Sequence, residues 1–519
     1  MLIAFSIFSI LIGCGIVFLL RIRGTRLAYI WLFLFVLIAL LLFLIVLVDP
    51  ANIEPFTVGE FFRTENDVIA ITFRMTNSNR IVGIGVFVLV LAFLATETAS
   101  PQGDQSLKRW IEVLVFCSAI WAALLSDNAW TILISWTILD LINIISELVF
   151  KNFQAQQFLN FYLSKFIGSM VLVSVISRAY QANPQNLLGG QIPYMGMWVL
   201  LAVFLHAGIF HQLQTSAGPQ KQDKYKQLIQ GLYFFPHFYL LTQVPNIGTP
   251  PLLRMILQVL MFTGALIMAI IWFIRKDDQL DFHQLIIALA FTGAFLFLSE
   301  NQQGLIYFLI TLLPMSWVFL AHERSIQLTP LWIVGMLILS GFPFTLQYAL
   351  FENLILGNRI LSSGLMAIPT TLIMVRVFRF LRKPGGNINR LEKINQAIYL
   401  FGLAIPIIGI ILVLWTYRPA IDPDNFWFGA VHVFLFFGFN YVADRRKNFQ
   451  VSVLNKNEGV VRFMEIRQRL VEISKGALEL AGAGLTYGAR LLEEEGGILW
   501  AIVFLSLLLT ILASMRGIN

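Results

Sequence analysis

The stretch SDNAWTILISWTILDLINIISEL, residues 126–148, decides how the chain is read. It is long and apolar enough to cross a bilayer as one helix, yet it carries a carboxylate, Asp140, near its middle. A charged side chain at that depth costs about 2.5–3.5 kcal/mol on insertion scales. Its presence therefore asks for a partner inside a bundle of helices.

Runs of the same kind recur on both sides of this stretch. Of 519 residues, 58% are hydrophobic and only 13% charged, and a soluble domain with that balance could not cover its own surface. The pattern implies an all-α polytopic membrane protein of about sixteen spans, centred near residues 10, 38, 89, 118, 139, 168, 203, 235, 263, 291, 312, 340, 371, 407, 434 and 506. The first run has neither a basic leader nor a small-residue cleavage site, so it reads as a retained helix. Cys14 and Cys117 sit in apolar runs without metal-ligand spacing and read as small buried hydrophobes.

Basic residues orient the spans. RIRGTR (21–26), LKRW (107–110), QKQDKYK (220–226), RKDD (275–278), RVFRFLRK (376–383) and DRRK (444–447) all fall on one side if the N-terminus is outside. About three-quarters of Lys and Arg then lie in inside loops, the asymmetry expected of a plasma (inner) membrane protein with both termini outside. The net charge of +7 is explained by this topology, with no nucleic-acid partner. Two segments are not spans. Residues 51–80 contain the alternation DVIAITFRM and predict a short external strand or hairpin. Residues 458–495 carry Phe463, Ile466, Leu470, Ile473, Ala477 and Leu480 at helical spacing, which predicts an amphipathic cytoplasmic helix lying on lipid or bracing its neighbours.

Five segments, in order, carry a resemblance. SDNAWTILISWTILDL (126–141), FLNFYLSKFIGSMVLV (158–173), FLHAGIFHQLQTSAGP (204–219), LDFHQLIIALA (280–290) and LSGFPFTLQYALFENLI (339–355) resemble the fifth, sixth, seventh, tenth and twelfth helices of a known family. The family is the antiporter-like, proton-translocating membrane subunits of respiratory complex I, membrane-bound hydrogenases and multisubunit sodium/proton antiporters. The resemblance implies two inverted five-helix repeats. The corresponding division is 1–126, 127–274 and 275–416 for the N-terminal helices and the two repeats. It continues as 417–457 for the fifteenth span, 458–495 for the lateral helix and 496–519 for the last span. It also implies other integral membrane subunits and the lipid bilayer as partners, no cofactor in this chain, and at most a subunit's part in an NADH:quinone oxidoreductase-like or hydrogenase-like enzyme.

Such subunits move protons along buried ionisable groups: a Glu in the fifth helix, a Lys in the seventh, a Lys or His in the eighth and a Lys or Glu in the twelfth. At those positions this chain has Thr137, Phe204, Phe235 and Phe351. His283, Thr311 and Met315 replace further basic positions of the tenth and eleventh helices. The expected role is therefore structural or coupling. The alternative is an active proton or sodium path rewired through Asp140, Lys165, His206 and His237, since Asp140 and Lys165 stand on successive helices and can pair. That pair reads either as a static tie between helices five and six or as a relocated switch. His211 matches a family histidine, whereas His432, Glu300 and Glu352 read as helix-end groups snorkelling to water. Without the family's proline at 209, the break in the seventh helix is expected to soften. No phosphate loop, metal motif or nucleophile triad is present, and no polar cleft supports a lipid-modifying enzyme.

Overall fold

In the computed structural model the apolar runs form helices, and the helices over 77–97 and 302–320 take the centre. The structure describes residues 2–63, 68–97, 104–150, 155–182, 194–209, 224–244, 249–274, 282–321, 328–339, 345, 360–383, 388, 391–417 and 426–449. Helices α1 (Leu2–Ile22) and α2 (Leu27–Leu47) each bury one stripe. Ile3, Ile7, Ile10 and Val17, then Ile30, Leu34, Ile38, Leu41 and Ile45, face inward, while Phe5, Phe18, Leu32 and Phe43 face out. A helix in water would turn polar side chains outward; these turn phenylalanine and leucine outward because lipid is the neighbour.

Helix α3 (Asn77–Glu97) is buried along nearly its whole length. So are α11 (Gln302–Ile310), α12 (Leu312–Met315) and α13 (Trp317–Leu320), which together make one interrupted span. The interruptions fall at Thr311 and Ser316, whose hydroxyls donate to the Phe308 and Leu313 carbonyls at 2.6 and 2.5 Å and compete with the helical ladder. Helix α16 (Lys393–Tyr417) lies along α3. A Cβ on Gly402 would stand 2.7 Å from the Ala95 Cβ, and one on Gly409 2.5 Å from a Val88 methyl, so these glycines set the close approach. Indole hydrogen bonds pin the packing: Trp31 donates to the Leu94 carbonyl at 2.8 Å and Trp317 to the Leu403 carbonyl at 2.9 Å.

The remaining described helices are α4 (Asp104–Leu125), α5 (Ala129–Phe150), α6 (Ala155–Ala182), α7 (Met195–His206), α8 (Lys224–Gln243), α9 (Pro251–Ile274), α10 (Phe282–Leu298), α14 (Thr329–Ile338), α15 (Ile360–Arg382) and α17 (Phe426–Phe449). Seven helical stretches among the described residues are long and apolar enough to cross a membrane. The chain is a multi-pass membrane protein. A helix covers or adjoins each expected centre from 10 to 434, whereas the span near 506 and the amphipathic segment 458–495 lie outside the described residues.

The 51–80 segment forms a hairpin. Strands β1 (Phe56–Arg63) and β2 (Val68–Phe73) pair antiparallel with Phe56 opposite Phe73. Asn128, just before α5, fastens the far side of β2. Its amide donates to the Ala70 carbonyl at 2.8 Å and the Thr72 hydroxyl at 2.7 Å, while its carbonyl oxygen accepts from the Thr131 amide at 2.9 Å. One residue thus caps α5 and ties the hairpin to it.

One expectation is corrected, and the seventh helix keeps a break: α7 stops at His206, and Gly208 turns left-handed with φ 70°. Glycine takes that conformation without strain, so no proline is needed to end the helix. His432 does not reach water; it is buried within α17, where surrounding helices close over it.

Candidate functional site

Helices α5, α6, α7 and α8 bring their ionisable side chains to one point. Lys165, ten residues into α6 and 1% exposed, donates to Asp140 Oδ1 at 2.7 Å. Asp140, 16% exposed, is the shared acceptor of the group. The Tyr233 hydroxyl of α8 donates to the same oxygen at 2.9 Å, and His206 Nε2 lies 2.9 Å from Oδ2. That last contact is at ion-pair distance without the alignment of a hydrogen bond. His206 Nδ1 in turn lies 2.6 Å from His237 Nε2, and His237 Nδ1 lies 2.5 Å from the Tyr233 carbonyl.

Local sequence explains why these atoms meet. Gly168 lets α6 and α7 touch, because a Cβ there would stand 2.8 Å from the His206 amide nitrogen and 2.9 Å from the Ala202 carbonyl. Ser164, one turn earlier, donates to the Leu205 carbonyl at 2.8 Å and fixes the rotation of α6 against α7. His206 is the last residue of α7, so the negative end of that helix's dipole faces its ring. Tyr233 and His237 are four residues apart on α8 and share a face. Lys165 Nζ sits over the Tyr233 ring at 4.0 Å and the Tyr162 ring at 5.5 Å, so aromatic faces replace water around the ammonium.

The proton count on the two imidazoles follows from these contacts. Three contacts use ring nitrogens: carboxylate to His206, His206 to His237, and His237 to the Tyr233 carbonyl. The two hydrogen-bonding contacts need one proton each, which two neutral imidazoles supply, and a third proton on His206 Nε2 would set a charged ring beside the carboxylate. With both rings neutral, one proton lies between the histidines and one points at the Tyr233 carbonyl, leaving bare His206 Nε2 against a carboxylate. A third proton completes the set and makes the pair singly cationic. The site thus accommodates a neutral pair with one unmatched contact or a cationic pair with all three matched.

Trp136, one turn before Asp140 on α5, covers the pair. Its ring lies 4.4 Å from His206 and 4.6 Å from His237, both tilted by about a third of a right angle or slightly more, at 32° and 33°. Beyond His237 the surroundings become aromatic. Phe204 packs 5.8 Å from Phe291 and 6.2 Å from Phe238, and Phe234 packs 4.0 Å from Phe238 and 6.2 Å from Phe308.

No family model and no curated protein matches the sequence. Solved structures do match. A chain of the Mrp complex from Dietzia sp. DQ12-45-1b aligns over 99% of this chain with TM-score 0.66 and 12% identity. A chain of the membrane-bound sulfane sulfur reductase, an archaeal respiratory membrane complex, aligns over 98% with TM-score 0.63 and 14% identity. A chain of respiratory complex I from Thermus thermophilus aligns over 79% with TM-score 0.57 and 14% identity. The chain has the antiporter-like membrane-subunit fold. It spans 63% of the Mrp chain's length, 99% of the reductase chain and 98% of the complex I chain.

Within this antiporter-like fold, the four candidate residues Asp140, Lys165, His206 and His237 form one cluster. Thr137 does not join it: it is exposed, and its hydroxyl donates to the Leu133 carbonyl of its own helix at 2.9 Å. Phe204 and Phe235 are buried in aromatic and aliphatic packing, as are Thr311 and Met315 in the core. His211, Phe351 and Glu352, and the side chain of His283, lie outside the described residues. Glu300 pairs with Arg254 near the ends of α9 and α10. Sequence reasoning missed Tyr233 and Trp136. Each stands four residues before a charged or titratable member, Tyr233 before His237 and Trp136 before Asp140, and that spacing is the signal that could have found them.

Proposed function

We propose that the chain is a coupling subunit of a multisubunit ion-translocating membrane complex, holding a local charge switch in place of a proton path through its whole width. The observation that carries the reading is the chain of contacts Asp140, His206, His237 and the Tyr233 carbonyl, whose carboxylate end would set a third proton on His206 beside an opposite charge. A rearrangement in neighbouring subunits that moves Asp140 away from His206 would remove the reason for the third proton and expel it. Lys165 sets its ammonium 2.7 Å from Asp140, an opposite charge that the carboxylate keeps when His206 moves away. Among the described residues the side chains beyond His237 are a phenylalanine cluster, which favours a switch over a conduit. On this reading residues 127–274 and 275–416 are the two helical repeats, and the switch lies in the first.

Replacing Asp140 with Asn in the complete complex tests the proposal. A charge switch predicts a complex that is less stable yet still assembles, and whose coupled ion movement falls steeply. Failure to assemble would instead mark the Asp140–Lys165 pair as a static tie. The second reading, translocation by this chain itself through Asp140, Lys165, His206 and His237, is favoured by the unbroken hydrogen-bonding distance across four helices. It requires the chain alone in liposomes to dissipate a proton gradient; the coupling reading requires that it does not.

A further inference from the structure

A groove opens on the bilayer-facing side of α6 and α7, away from the charge cluster. Gly168 holds the two helices together at the level of His206, and from there toward the C-terminal end of α6 the groove is lined by Phe166, Met170, Val171, Ser174, Arg178 and Trp198, with a volume of 320 Å³. Its walls are apolar except at the far end, where Arg178 stands exposed. No described carboxylate pairs with that guanidinium. Phe166 is 56% exposed and Trp198 46% exposed, so the groove faces what surrounds the bundle.

We infer that this groove binds one anionic phospholipid, an acyl chain along α6 and the headgroup phosphate at Arg178. Length fits: Phe166 to Arg178 spans about 18 Å of helix at 1.5 Å per residue, which carries a chain from beside Lys165 to the level of the interface. Charge selects the headgroup. An arginine without a described carboxylate partner at the end of an apolar groove is matched by a phosphate with net negative charge, and a basic residue at an anionic lipid surface confers about a fivefold preference. Tryptophan at such a level has its own reason to be there, since the indole is at home between chain and headgroup. The site is independent of the charge switch and stands whether or not that switch operates.

The test is native mass spectrometry of the full chain reconstituted in bilayers of equal parts phosphatidylcholine and phosphatidylglycerol. The expected result is one retained phosphatidylglycerol, favoured about fivefold. Arg178→Gln should abolish the preference, and Ser174→Trp, which fills the groove, should abolish retention of either lipid. Phosphatidylglycerol brominated on its acyl chain should quench fluorescence of the unaltered protein, with the quenched component missing in Trp198→Phe; this arm does not depend on a groove-filling variant folding. Equal retention of the two lipids, a preference that survives Arg178→Gln, or quenching unchanged in Trp198→Phe would overturn the inference.

Discussion

His206 Nδ1 and His237 Nε2 face each other at 2.6 Å across α7 and α8, a distance that calls for one proton between two rings that belong to different helices. Any motion separating those helices must decide which ring keeps it. That makes the contact responsive to helix displacement, which a solitary buried histidine is not.

Trp136 is the natural reporter of the pair. Its ring lies within 4.6 Å of both imidazoles, and an imidazolium at that distance gains from the indole face. Trp136→Phe, keeping a face of smaller quadrupole, should shift the pH at which the pair changes charge, while Trp136→Leu should shift it further. Both are read by infrared spectroscopy of histidine-labelled protein, with Asp140, Lys165, Tyr233 and Tyr162 unchanged around the pair.

Asp140 and Lys165 should show strong coupling. Asp140→Asn or Lys165→Met alone leaves a buried charge without its counter-ion and should cost about 3–5 kcal/mol of stability. The double substitution should cost less than the sum of the two. Unfolding in detergent, measured as a double-mutant cycle, gives the coupling directly.

Gly168→Leu should be among the most damaging single changes in the bundle. Its Cβ would meet the backbone of His206 and Ala202, which cannot swing aside, so α6 and α7 must separate. A loss of at least about 1–3 kcal/mol is expected from overpacking, together with loss of the His206 to Asp140 contact. Thermal unfolding and the histidine infrared signal should change together.

Asn128→Ala should act locally. It removes two hydrogen bonds to β2 and a cap on α5, together worth about 1–2 kcal/mol. Hydrogen exchange should quicken in Val68–Phe73 and the first turn of α5, while α3 and α16 stay protected.

Much of this arrangement can be read from the residues. The outward phenylalanines of α1 and α2, and the featureless hydrophobicity of α3, follow from composition once lipid is taken as solvent. The Asp140–Lys165 pair follows from two lone charges on consecutive apolar helices. The histidine contact does not, because α7 and α8 are separated by residues 207–223 and the facing side of α7 is set by Gly168 and Ser164 on a third helix. Nor does the stop after His206, since a missing proline suggests a softened break and Gly208 supplies the turn instead. His432 misled for a related reason: sequence distance from a helix end does not say whether other helices cover it.

The most direct measurement of the central claim is nitrogen-15 spectroscopy of histidine-labelled full chain in bilayers, titrated with pH. The account expects His206 and His237 to change charge as a unit, with one imidazolium shared between them in the loaded state and its signal lost in Asp140→Asn. Two histidines that stay neutral throughout the folded pH range, or that titrate independently and ignore Asp140→Asn, would contradict it.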